Sequence, residues 1–230
     1  MPAEFRELVL KHPGARIAIM GGAPTLRENV PQIDADVWIS TNAHGLDIRS
    51  ADYVAAMDNE HRGAGGMPME RYLRRKSSLP IIGPEHWADY VISGWPSCPT
   101  RVLTGQIAAW CAFGMGASVV ILAGFDNYDG QSTQAHKACD RVQPFIHCPV
   151  RVCGGGRLTK WWPAFDPHET FPPFEPHPAA IAMRGTDNAV RVRVNKPTQI
   201  NGVERVRGQE LTVQRHQVAY HLKHKLVFEF

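Results

Sequence analysis

The 230-residue chain has no apolar run approaching the ~20 residues that a membrane-spanning helix needs. Met1 to Lys11 lacks the basic-then-apolar order of a signal peptide, so a soluble, cytoplasmic protein with no membrane span is expected. Cysteine is scarce and unpaired in pattern. Cys98, Cys111, Cys139, Cys148 and Cys153 are odd in number and form no Cys-x-x-Cys pair, which argues against a disulfide framework or a zinc ribbon and for reduced thiols. The Gly-Lys-Ser/Thr of a phosphate-binding P-loop is missing, as is the full Gly-x-Gly-x-x-Gly of dinucleotide binders. Charge is low at 20%, and the net of +3 is uneven. Residues 189–230 hold eight Lys/Arg against three Glu, a net of +5 that leaves −2 for residues 1–188. That basic tail is suited to an acidic partner, nucleic acid included, but no aromatic stacking platform is interleaved with it, so a solvated sheet face is the expectation.

What is present is a 43% hydrophobic composition, sufficient for a real core. Arg16-Ile-Ala-Ile-Met20 reads as a strand ending in Gly21-Gly22-Ala-Pro24-Thr25, with Thr25 as N-cap of a helix from Leu26. Asp36 to Ser40, Asp52 to Met57 and Leu79 to Ile82 read as further strands, with a polar, glycine-bearing stretch from Glu60 to Ser78. Gln106 to Met115 suits a buried helix with Gly116 at its C-cap, and Ser118 to Gly124 an apolar strand that ends in Phe125-Asp126. A helix over His136 to Phe145 and a strand over Val150 to Cys153 follow. Strands apolar throughout and alternating with helices predict a doubly wound α/β fold with a mostly parallel sheet.

Beyond that point the composition changes, because eight of the eighteen prolines lie between Pro144 and Pro178 together with Trp161-Trp162 and Phe171 to Phe174. The expected organisation is a nucleotide-binding domain over 1–165, an extended Pro/aromatic-rich connector over 166–188 that packs on it, and a small β module over 189–230. Val190 to Val194 alternates with period two, and Ile200-Asn201-Gly202-Val203 carries a turn.

Ligands of such sheets bind beyond the carboxyl ends of the strands, where strand order reverses. Those ends carry Gly21-Gly22, Asn42, Asp58 and Asp126. The glycine loop can turn backbone N–H groups toward a phosphate or serve as a plain turn. Asn42 can read a ribose or base, or make an Asx turn. Asp58-Asn-Glu-His61 gathers metal-ligand types at neighbouring positions that face different ways, so no metal site is assigned. Tyr128 can donate to a phosphate, and His136 can act as a general base near neutral pH.

Four motifs stand in order: Ile-Ala-Ile-Met-Gly-Gly-Ala-Pro-Thr-Leu (17–26), Trp-Ile-Ser-Thr-Asn-Ala (38–43), Thr104-Gly105, and Val-Ile-Leu-Ala-Gly-Phe-Asp-Asn-Tyr (120–128). Over about residues 14–165 this order resembles the bacterial family 42 sialyltransferases and Rossmann-like relatives that include the archaeal 6-hydroxymethylpterin diphosphokinases. The resemblance implies a Rossmann-like sheet and a glycosyltransferase-like enzyme using a nucleotide-sugar donor, CMP-linked or other, with His136 as catalytic base. It implies donor binding by Gly21, Gly22, Pro24, Thr25, Asn42, Thr104, Gly105, Asp126 and Tyr128. The family's loop reads Gly-Asn-Gly-Pro-Ser, whereas Gly22 stands here in place of the asparagine, and its long lid is reduced to seven residues between Tyr128 and His136. A diphosphokinase-like transfer from ATP is the alternative within this resemblance and would require Mg²⁺, with Asp58 and Asp126 as ligands. The tail resembles a small β module often found in bacteriophage proteins, ending in a short helix near Val218 to Leu222. It implies phage or prophage origin and a protein partner docking on 189–230, and with it a non-catalytic reading in which the nucleotide fold is a scaffold of a phage accessory protein.

Overall fold

Eight short strands pair in one sheet: β1 (Ala3–Glu4), β2 (Arg16–Met20), β3 (Val37–Thr41), β4 (Tyr53–Ala55), β5 (Ile81–Gly83), β6 (Tyr90–Val91), β7 (Val119–Ala123) and β8 (Val150–Cys153). Their spatial order is β1-β6-β5-β4-β3-β2-β7-β8, and every neighbouring pair is parallel. The computed structural model describes residues 3–57, 67–84, 87–92, 99, 102–125, 133–154, 156–184, 189–200, 203–214 and 225–229. Contacts divide the chain into Met1–Ser93 with Ser97–Arg184, and Gly94–Pro96 with Gly185–Phe230.

Parallel strands need helical cover on both faces, and the central ones are apolar at successive positions for that reason. Every residue of β3 and β7 is buried. On one face Ala18, Met20, Trp38, Val119, Ile121 and Ala123 pack with Leu26, Val30 and Ile33. Along β2 and β7 the alternate residues Ile17, Ile19, Val120 and Leu122, all buried, turn to the other face. There α3 (Thr104–Gly114) lies across β2, β3 and β4, and it is buried from Gly105 to Gly114. Its end is a Schellman motif at Gly116 (φ +96°), with Gly116 N–H donating to the Phe113 carbonyl at 3.0 Å and Ala117 N–H to Ala112 at 3.1 Å.

Several expectations change. The helix after the glycine loop, α1 (Leu26–Asn29), is a single turn, and the Thr25 side chain makes no capping bond because its backbone is already helical (φ −63°, ψ −11°). The stretch read as polar loop holds α2 (Met69–Lys76), whose Arg74 forms a two-bond pair with Asp89 at 2.9 and 2.8 Å. α4 (Thr133–Val142) starts three residues before the expected helix. The connector is not extended throughout, because α5 (Pro178–Arg184) forms inside it and packs on α3. A Cβ on Gly114 would lie 2.5 Å from the Met183 methyl, so glycine permits that close crossing. The preceding segment is held to β8 by Phe165 N–H donating to Val152 (2.9 Å), by the Arg151–Glu169 pair, and by Arg151 over the Phe171 ring at 5.5 Å.

In the second unit β9 (Ala189–Val194) pairs antiparallel with both β12 (Glu210–Gln214) and β13 (Val227–Glu229), and β10 (Thr198–Ile200) with β11 (Val203–Arg205). Val192, Val194, Ile200 and Val227 form its core, while Arg193 stays outside and pairs with Glu210. The turn at Asn201-Gly202 and the helix expected near Val218 lie outside the described residues. Of the cysteines, Cys111, Cys139, Cys148 and Cys153 stand outside any disulfide, and Cys98 lies outside the described residues.

At the amino ends of β7 and β8 a cavity of about 450 Å³ is lined by Phe113, His147, Cys148, Phe174 and His177 among others. The His147 and His177 rings stack at 4.2 Å with a 6° interplanar angle, and the Phe113 ring meets both edge-on. His177 Nδ1 accepts the Ala179 N–H at 3.1 Å, which requires that nitrogen unprotonated. Burial and the neighbouring His177 hold the His147 pKa below its ordinary value, while burial pushes the Cys148 thiol up to about 12. The unfolded chain therefore takes up the His147 proton first, so this stabilisation is complete above pH ~6.5 and is lost as pH falls through the lower folded value. Thermal midpoints read by circular dichroism between pH 7.5 and 5.0 should fall more steeply for the unmodified chain than for His147→Phe, which keeps the ring and removes the proton. Equal slopes would remove the pair from the pH dependence.

Candidate functional site

Strand order reverses at β2, since the chain runs outward through β3, β4 and β5, then returns through α3 to lay β7 on the other side of β2. The crevice beyond β2 and β7 is thus the topological switch point. Its floor is two backbones in contact. The parallel ladder continues past both strands, with Gly21 N–H donating to Ala123 (2.8 Å) and Ala23 N–H to Gly124 (2.9 Å). A Cβ on Gly21 would lie 2.3 Å from the Gly124 carbonyl oxygen. Gly124 turns with φ +70° beneath Leu26, and its N–H donates to Asn29 Oδ1 at 2.9 Å. Asn29 is 3% exposed and was not singled out from sequence, where a polar residue ending a short helical segment carries no signal.

The Phe125 ring joins the two sides of the crevice. Cβ atoms on Gly21 and Gly105 would meet it at 3.0 and 2.3 Å respectively, so two of the three expected site glycines sit against one aromatic ring, on opposite sides of it. Thr104 Oγ1 accepts the Met57 N–H at 3.3 Å, tying the head of α3 to the end of β4. Asn42 leaves β3 at the same edge. Its N–H donates to Ala55 at 2.9 Å, and Thr41 Oγ1 donates to the Met20 carbonyl at 2.8 Å. Asn42 (φ 51°) and Ala43 (φ 65°) are both left-handed, a conformation costing an L-residue roughly 1–2 kcal/mol. This turn places His44, a residue missed from sequence, with its ring 3.1–3.2 Å from an ideal Cβ on Gly22.

The structure therefore brings together Gly21, Gly22, Thr25, Asn42, Thr104 and Gly105 at one sheet edge, with Pro24 exposed on the same loop. Within the described residues the N–H groups of Gly22, Thr104 and Gly105 make no hydrogen bond, and the Thr25 hydroxyl is buried with no partner. Gln106, 3% exposed, donates to Cys139 Sγ at 3.4 Å while its Oε1 has no partner. Asp58, His61, Asp126 and Tyr128 lie outside the described residues; the His136 backbone falls in α4, and its side chain is outside them too. Among the described residues no group of three or more His, Cys, Asp or Glu side chains is arranged to hold a metal ion, and no helix is long and apolar enough to cross a membrane.

No family model and no curated protein matches the chain. Among solved structures it is similar to the sialyltransferase CstII from Campylobacter jejuni, in complex with a substrate analogue, cytidine-5′-monophosphate. The identity is 11%, the TM-score 0.45, and the match covers 71% of this chain and 93% of that one.

Gly105→Ala drives a methyl group into the Phe125 ring and should destabilise the chain by about 1–3 kcal/mol in urea unfolding, with partial recovery in Gly105→Ala/Phe125→Leu. An unchanged midpoint would contradict the shared aromatic contact. Ala43→Gly removes the left-handed penalty at a position whose N–H and carbonyl are unaltered, and should raise stability by about 1 kcal/mol in the same assay.

Proposed function

We propose that the chain binds a nucleotide or nucleotide-sugar phosphate in the crevice beyond β2 and β7, and works as a glycosyltransferase-like enzyme. The observation that carries this reading is the set of unpartnered polar groups there: the Gly22, Thr104 and Gly105 N–H groups and the buried Thr25 hydroxyl. Backbone donors left open beside a rigid floor suit a phosphate, whose oxygens accept several hydrogen bonds at once. α1 is too short to add a useful dipole, so the longer α3 supplies the helix-terminal contribution through Thr104 and Gly105.

In this reading Asn42 reads the ribose or base from the end of β3, and Asp126 and Tyr128 follow from β7 to hold the rest of the nucleotide. His136, on α4, takes the proton of the acceptor hydroxyl as that oxygen attacks the anomeric carbon. The bond from that carbon to the phosphate oxygen breaks, and its electron pair leaves on the phosphate, which Tyr128 and the open N–H groups stabilise.

Thermal unfolding with CMP, CDP, UDP, GDP and ATP, each with and without Mg²⁺, tests the binding step. A ligand at ~100 times its dissociation constant adds about 2.7 kcal/mol and should raise the midpoint by a few degrees. Asn42→Gly keeps the left-handed backbone while removing the amide, and should weaken the selected nucleotide by about 1–2 kcal/mol. His136→Gln should abolish turnover with affinity within a few-fold. A flat panel would overturn the reading.

A further inference from the structure

Gly22 is exposed at the mouth of the crevice and bears no side chain, yet the space a side chain would take is filled. An ideal Cβ there lies 3.1 Å from Cε1 and 3.2 Å from both Nδ1 and Nε2 of His44, so the imidazole lays the Nδ1–Cε1–Nε2 side of its face over the loop, with its nitrogens directed along the loop's surface. The ring is delivered from β3 by a fixed turn. His44 N–H donates to the Thr41 carbonyl at 2.9 Å, the Ser40 hydroxyl donates to the His44 carbonyl at 2.8 Å, and Asn42 and Ala43 adopt left-handed backbone to reach that register. These bonds use only the backbone of residue 44, which leaves the imidazole itself available at an exposed position. Beside it stands the Gly22 N–H, which makes no hydrogen bond within the described residues.

Two groups able to donate, one on the loop backbone and one on the β3 turn, thus lie side by side where β2 ends. We propose that His44 is a phosphate-binding residue of this crevice, supplying from β3 the side-chain contact that the loop forgoes at Gly22. The assignment rests on the reading of the crevice as a nucleotide site and adds to it a recognition residue for the phosphate. Glycine at 22 and histidine at 44 are then one feature, since any larger residue at 22 pushes the ring away. A residue that only packs against the loop would affect stability and nucleoside binding together, whereas a phosphate ligand affects the phosphorylated compound alone.

Isothermal titrations of the full chain with CMP, CDP, UDP, GDP and ATP, and with cytidine, uridine, guanosine and adenosine, separate these cases. For the nucleotide that binds, His44→Ala should lower affinity about tenfold and leave the parent nucleoside within twofold. His44→Gln, which keeps a donor on a shorter side chain, should recover part of the loss. Gly22→Ala should weaken the nucleotide when His44 is present and add nothing to His44→Ala, the non-additivity expected of groups in contact. Equal nucleotide affinity in the unmodified chain and His44→Ala would overturn the assignment alone, as would equal losses for nucleotide and nucleoside. Failure of the unmodified chain to bind any of the five nucleotides would overturn the reading of the crevice and this assignment with it.

Discussion

Two backbones meet at the centre of the sheet with no room for a side chain between them, Gly21 lying against the Gly124 carbonyl. Much of the candidate site depends on that approach. It lets the β2–β7 ladder run past the ends of both strands, and it brings Leu26 down over Gly124 so that a helix of one turn is held by packing rather than by its own length. Asn29, at the end of that turn, reaches back to the Gly124 N–H and fixes the direction in which the chain leaves β7. Phe125 follows at once and covers both Gly21 and the head of α3. A floor of this kind has little freedom to reorganise, which is the property a site needs if its donors are to be aimed before a ligand arrives.

The two loop glycines illustrate why the site was only partly legible from sequence. Read alone, Gly21-Gly22 suits a phosphate cradle or a plain turn equally, because either needs backbone without side chains. In the fold the two have separate causes: Gly21 admits the Gly124 carbonyl, and Gly22 admits the His44 ring. Neither glycine is itself evidence of a ligand. Which N–H groups stay open depends on what the rest of the fold leaves beside them, and no local pattern encodes that. His44 could have been weighed from its place two residues beyond Asn42 after an apolar strand, but nothing in the spacing says that its ring crosses to the neighbouring loop.

Elements buried on both sides were legible. Arg16–Met20 and Val150–Cys153 form strands at the expected residues, and the α3–β7 unit was anticipated, because continuous apolar runs of β-branched residues have few other uses. Elements that depend on partners were not. β1, at the edge, and β6, between β1 and β5, are two-residue strands defined by that pairing, and no period can appear in two residues. α2 carries five charged residues in eight and is anchored by Met69, Leu73 and the Arg74–Asp89 pair, so its sequence reads as solvated loop. In α5 the proline at its first position and those before it suggested extended chain, although proline suits the first helical turn and His177 caps it through Nδ1.

The treatment of backbone donors differs between the two ends of the sheet. At the amino end the chain provides carboxylates for them: Asp36 accepts the Arg16 N–H, Asp52 the Trp38 N–H and Asp89 the Ile81 N–H, at 2.8, 2.8 and 2.7 Å. Each stands just before the next strand of the sheet in chain order and reaches back to the start of an earlier one, removing a donor that would otherwise be left open there. At the carboxyl end the Gly22, Thr104 and Gly105 N–H groups and the Thr25 hydroxyl have no such partner within the described residues. An unpaired buried polar group costs about 1–3 kcal/mol; such side-chain atoms occur at both ends, Arg16 Nε at the start of β2 and Thr25 Oγ1 beyond its end, so the contrast between the ends lies in the backbone donors. Water can take the exposed ones. The asymmetry compares the two ends of the same sheet, so it does not rest on any single residue at the switch point.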